Sequence, residues 1–241
     1  MFNTNMSELS EAGELTVMLG ALQLGDSFFP SGRFSLSHGL ETFAQSGLVR
    51  SAGDLELVMA DYLTQVVARS EAVAVATANR AASAGDLVTI IEVDQLLFAM
   101  KLPAEASASS TRTGRQLLST LRQLVTEPAF CEYGRCIEER ASPGNHAVVF
   151  GVAAAAWGLS PVEAALVELY AYATNLLGAG LRTVRMDHVQ SQAILDRLKP
   201  TMIASAEMAA RLDYHDMSAF APMIEMMQLR HERSHIRLFA S

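Results

Sequence analysis

Apolar residues recur at intervals of three and four along most of this chain, the spacing of a helix buried on one side. From Asp54, the residues Leu55, Val58, Met59, Tyr62, Leu63, Val66 and Val67 share such a stripe. Asp86 opens a second run through Leu87, Ile90, Ile91, Val93, Leu97 and Phe98, and Thr113 to Val125 repeats the pattern at Leu117, Leu118, Leu121 and Leu124. Ser160-Pro161-Val162-Glu163 is the sharpest local signal: a serine cap, a proline at the first helical position and a glutamate at the third together satisfy the free amides of a helix start. That helix is expected to reach about Leu177, with Gly178, Ala179 and Gly180 allowing close packing. No segment alternates with a period of two between Asn-Gly or Asp-Gly turns, so no sheet is expected. The breaks are short (Ser51-Ala52-Gly53, Ala84-Gly85, Ser142-Pro143-Gly144 and Lys199-Pro200), and none has the length of a linker. The pattern predicts an all-α fold, a single compact multi-helix domain of about ten helices over residues 1–229, followed by a tail at 230–241.

Composition narrows the function. Half of the 241 residues are hydrophobic and only 18% are charged, which places the chain among globular proteins. A net charge of −8 argues against a general nucleic-acid surface, which needs concentrated Lys and Arg; only Lys101 and Lys199 are lysines. The longest uncharged apolar run, Ala147 to Leu159, is short of the roughly 20 residues that span a bilayer, so a buried helix is expected there and no membrane association. Residues 1–14 carry Glu8, Glu11 and Glu14 and no basic residue, the reverse of a targeting leader. Cys131 and Cys136 are too few for a disulfide framework, and two buried thiols in a reducing, cytoplasmic setting are expected.

Two regions do not read as plain core. Phe28-Phe29-Pro30-Ser31-Gly32-Arg33-Phe34-Ser35 is a turn-forming cluster with three aromatic rings. After Pro222, a stripe of Met223, Met226, Met227 and Leu229 leads into a tail where Arg230, Arg233 and Arg237 outnumber Glu232, a net +2 on an acidic chain. A basic segment with a large hydrophobe near its end suits docking to a partner.

The tail also spells His231-Glu232-Arg233-Ser234-His235, the His-Glu-x-x-His pattern of zinc hydrolases. Six residues follow His235, too few for the remaining ligand, and the flanking arginines oppose a dication. His231 and His235 are therefore at most weak metal candidates. Asp213-Tyr214-His215-Asp216 is expected to be a solvated turn, and His38 and His146, at the edges of apolar segments, to be satisfied structural histidines. There is no phosphate-binding Gly-x-x-x-x-Gly-Lys loop and no Gly-x-Ser-x-Gly elbow, so no catalytic residue is assigned and the chain is not expected to be an enzyme.

Three segments together resemble the UreF family of urease accessory proteins: Leu22 through Glu41, Ser110 through Leu118, and the ending His231-Glu232 to Arg237-Leu238-Phe239-Ala240-Ser241. The resemblance implies an all-helical, commonly homodimeric cytoplasmic scaffold without catalytic activity or resident cofactor. Such a scaffold joins the accessory protein UreD (also called UreH) and recruits the GTPase UreG to deliver nickel to apo-urease, with nickel touching this chain at most transiently. The partner-binding positions it points to are Phe34, Ser37, Glu41, Arg237 and Phe239, with Pro30, Gly32 and Gly39 shaping the turn that presents them. Glu41 suits a charge-assisted bond to an arginine fork, and Arg237 and Phe239 have the character of interface anchors. The sequence departs from the family at Arg33, where a small residue is usual, at Leu36, where an aromatic is common, and at Met186-Asp187-His188-Val189. Two other readings stay open: a metal-dependent enzyme using the terminal histidine pair, and direct action on the partner GTPase by Arg33 or Arg237 supplied in trans.

Overall fold

Local capping chemistry sets where most helices begin. The computed structural model describes residues 6–235 and 237–240, the side chains of residues 6–10 excepted. The expectations for the first five residues, Ile236 and Ser241 therefore lie outside the described residues. Eleven α-helices follow in order: α1 (Met6–Gly25), α2 (Leu40–Gln45), α3 (Ala52–Asp61), α4 (Glu71–Ala84), α5 (Leu87–Met100), α6 (Ala104–Leu121), α7 (Pro128–Glu138), α8 (His146–Ala156), α9 (Pro161–Thr183), α10 (His188–Ala209) and α11 (Pro222–Glu232). A π-turn at Tyr62–Val66 and a 3-10 turn at Val67–Arg69 carry α3 toward α4. Among the described residues there is no strand, only an isolated bridge between Ser51 and Arg185. The all-α expectation of about ten helices holds.

The capping box predicted at Ser160 and Glu163 forms, with Ser160 Oγ accepting from the Glu163 amide and Glu163 accepting from the Ser160 amide. Asp86 caps α5 through the Thr89 amide, as the sequence suggests. Asp54 does not open its helix. Ser51 is the cap and Asp54 the third residue of a reciprocal box, so the apparent break at Ser51-Ala52-Gly53 is a helix start. Lys199-Pro200 is likewise no break, because α10 runs through Pro200 while packing along α9 and α3. Tertiary packing there outweighs the lost amide.

Buried apolar side chains fall into two clusters. One gathers Leu40, Leu55, Met59, Leu63, Leu169, Leu176, Ile194, Ile224 and Met227 between α2, α3, α9, α10 and α11. The other gathers Ile90, Leu97, Leu117, Leu121, Phe130, Tyr133, Val149 and Phe150 between α4 to α8. Helix α8 carries the apolar run expected to be a buried core element, and its residues His146 to Ala154 are all buried. It crosses α4 so closely that a Cβ on Gly151 would lie 2.4 Å from the Val75 carbonyl oxygen. Gly180 plays that role on α9, where a Cβ would stand 2.5 Å from Leu55, but Gly178 has open space beside it. No described helix is long and apolar enough to cross a membrane. The thiols differ from expectation: on α7, an amphipathic surface helix, Cys131 is exposed and Cys136 half-buried.

Asp94 of α5 holds the loop before α8. Its buried carboxylate accepts from Tyr133 Oη, Ser142 Oγ, the Gly144 and Asn145 amides and Asn145 Nδ2 at 2.5–2.9 Å. This fixes the start of α8 and with it His146, which faces the N-terminal turn across the core.

Candidate protein-docking site

The N-terminal motif forms a chain of tight turns. Gly32 (φ 81°) precedes a 3-10 turn at Arg33–Ser35, and His38 (φ 54°) and Gly39 (φ 88°) reverse the chain again before α2. Left-handed backbone is costly for a side-chain-bearing residue, so His38 is held by its surroundings. Its carbonyl accepts from Tyr62 Oη and from Gln228 Nε2 of α11. A Cβ at Gly39 would approach the Gln228 amide to 3.1 Å, so glycine there serves both the turn and the contact with α11. Pro30 is exposed at the rim, and Leu36 is buried in the core.

Arg33 turns inward. Its guanidinium meets Glu168 Oε2 of α9 at 2.7 Å and stacks over the Tyr172 ring, 5.7 Å from its centroid. Asn175 donates to the Arg33 carbonyl. This departure from the family pattern is a buried structural pair, and in this arrangement Arg33 is not available as a finger in trans. Burial pushes the Glu168 carboxyl up, against the pull of Arg33. Burial pushes Glu71 up as well, but Lys101 beside it wins and leaves its carboxyl below the usual range. His38 and His146 line the same interior. Burial, with Arg33 next, lowers His38 to about 3 and holds His146 well below the ordinary imidazole range, so both rings are neutral. These groups line a partly open cavity of about 110 Å³ that also reaches Glu105, Gln228 and His231.

The terminal segment folds back onto this turn. Helix α11 ends at Glu232, past the expected start of the tail at residue 230. Ile224, Met227 and His231 face inward on it, whereas Met223, Met226 and Leu229 are exposed. Beyond it, Glu41 is the anchor: its Oε1 accepts from the Leu238 amide (2.8 Å) and Gln45 Nε2 (3.1 Å), and its Oε2 accepts from the Phe239 amide and lies against His231 Nε2 (both 3.2 Å). Glu105, near the start of α6, receives His231 Nδ1 at 2.8 Å and the guanidinium of Arg237. Arg237 also donates to the Glu232 and Ser234 carbonyls. The Ala240 amide donates to the Ser35 carbonyl at 2.9 Å, and Arg182 of α9 lies 4.1 Å over the Phe239 ring while donating to the Phe34 carbonyl.

The residues singled out at the two ends thus meet in one place. Ser37, Glu41 and Phe239 are buried there, Glu41 and Phe239 hold the ends to each other, and Glu41 is met by backbone amides and an imidazole where the sequence suggested an arginine fork. Phe34, Arg237 and Leu238 remain at the surface, Phe34 at 73% exposure. Sequence reasoning missed Glu105 and Arg182, which carry no motif and act only through long-range pairing. The terminal histidines do not share a helical face: His231 is buried within α11, and His235 lies exposed beyond its end. Among the described residues, no three His, Cys, Asp or Glu are grouped to hold a metal ion. Asp213 to Asp216 form a capped, largely solvated turn.

The UreF family model matches residues 49–199. The chain belongs to the UreF family of urease accessory proteins. It is 33% identical to urease accessory protein UreF 2 of Brucella canis over 92% of this chain and 91% of that protein. Similarity to UreF of Trichodesmium erythraeum spans both chains fully at 31% identity, and to UreF of Corynebacterium efficiens at 28% over 96% of this chain. Both ends of the docking site lie outside the span of the family model, and the UreF relatives align across them.

Proposed function

We propose that this UreF-family protein is a non-catalytic scaffold for nickel insertion into urease, docking the accessory protein UreD (UreH) and recruiting the GTPase UreG through the surface its two ends build. The observation that carries this reading is the junction itself. A buried carboxylate, Glu41, holds the terminal segment against the N-terminal turn, and Phe34 and Leu238 stand exposed beside it. An exposed aromatic ring on a rigid, hydrogen-bonded frame suits the core of an interface, where aromatic residues are enriched. The outer face of α11 adds Met223, Met226 and Leu229, and Phe220 precedes it at 80% exposure. Scattered surface hydrophobes are ordinary, so the reading rests on the junction and not on their number.

Nickel is cargo in this reading, GTP hydrolysis belongs to the partner, and the scaffold works in the cytoplasm as a homodimer. Removal of the protein from a urease-producing cell is expected to leave urease assembled and nickel-poor, as measured by metal content of the purified enzyme. Full nickel loading without it would overturn the proposal. Neither of the other readings gains an observation: the histidine pair is split between core and surface, and Arg33 and Arg237 are paired within the chain with Glu168 and Glu105.

A further inference from the structure

We propose that His231 is a positioning residue that carries a proton on both ring nitrogens and, as a cation between Glu41 and Glu105, pins the terminal segment closed. Each ring nitrogen faces a carboxylate oxygen, Nε2 at 3.2 Å from Glu41 and Nδ1 at 2.8 Å from Glu105. An ionised carboxylate only accepts, and a neutral imidazole has one N–H, so a neutral ring would turn a lone pair toward one of the two acids. Glu41 is a poor source of the missing proton, because its two oxygens already receive the Leu238 and Phe239 amides and Gln45 Nε2, an arrangement that suits an acceptor-only carboxylate. Glu105 also pairs with the guanidinium of Arg237.

Charge balance points the same way. Glu41, Glu105 and Glu232 bring three negative charges to a site where Arg237 supplies one positive charge, and a charged His231 offsets a second. His231 is 1% exposed, so the pairing is not left to solvent. The neighbouring Glu232 strengthens the same contact, its carboxylate accepting from the Glu105 amide in the first turn of α6, where helix ends favour an anion. The His-Glu pair that imitates a metal motif is therefore used to fasten α11 to α2 and α6. The functional meaning of the pin, a closed segment presenting Leu238 beside Phe34, rests on the proposed docking role, whereas its charge and grip do not.

The test uses the full-length protein without partners. Nitrogen NMR of the His231 ring at neutral pH is expected to show both nitrogens protonated. Amide exchange at Leu238 and Phe239 is expected to quicken about tenfold or more in His231→Gln, whose side chain offers donors at one position only, with helical circular dichroism unchanged. Relief of this effect in His231→Gln/Glu105→Gln, which returns the local charge to its wild-type value, would support the charge as the cause. A singly protonated ring in the wild type, or exchange within about twofold of wild type in His231→Gln, would overturn the pin. If His231→Gln fails to fold, the ring signature of the wild type decides alone. Loss of partner capture with an intact pin would reject the docking reading and leave this one standing.

Discussion

His38 sits in left-handed backbone with its ring sealed against Tyr172, 4.5 Å between centroids, and neutral well below physiological pH. An unfolded histidine binds a proton near 6.5, whereas the folded one resists until about 3. The unfolded state therefore holds more protons across that window, and stability falls as pH drops through it. His146, lowered by burial as well, adds a contribution of the same sign. Each such group contributes a slope of up to about 1.4 kcal/mol per pH unit. His38→Asn, a residue that tolerates the backbone, is expected to reduce proton uptake on unfolding at pH 5 by about one. Urea titrations at pH 5 and pH 7 would measure it, and an unchanged slope would count against a neutral His38.

At the scale of elements, the sequence carried most of what the structure shows. Caps at Ser160 and Asp86 and the stripe from Leu55 to Val67 were legible because they depend on neighbours a turn away. The running of α10 through Pro200 and the surface position of Cys131 were not, since both follow from what a helix packs against and not from its own pattern. The Asp94 knot is the strongest long-range feature of this kind. One buried carboxylate organises the loop that presents His146, with donors up to 51 positions away in sequence. Asp94→Ala leaves four donors without an acceptor, Asn145 Nδ2 keeping the Asp94 carbonyl, and is expected to lower unfolding stability by about 3 kcal/mol or more. Chemical denaturation would show this, and a loss below about 1 kcal/mol would mean water replaces the carboxylate without cost.

Across the whole molecule, the chain's ends are 190 or more residues apart in sequence yet share one carboxylate, Glu41. The sequence singled out both ends, and assigned to partner binding the Glu41 and Phe239 that the structure buries to join those ends to each other. It could not tell which would face outward, because that depends on Glu105, Arg182 and the seat for Phe239 in the core. Burying that ring contributes about 2 kcal/mol toward holding the segment in place. The resulting surface, with Phe34 and Leu238 outward and Glu41 beneath, is the central claim. Its most direct test is the affinity of purified UreD for this protein and for a Phe34→Asp/Leu238→Asp variant whose helical content is unchanged. The account predicts a loss of at least about 100-fold in the variant, because two charges would be placed among interface anchors. Binding within about threefold of wild type would contradict it.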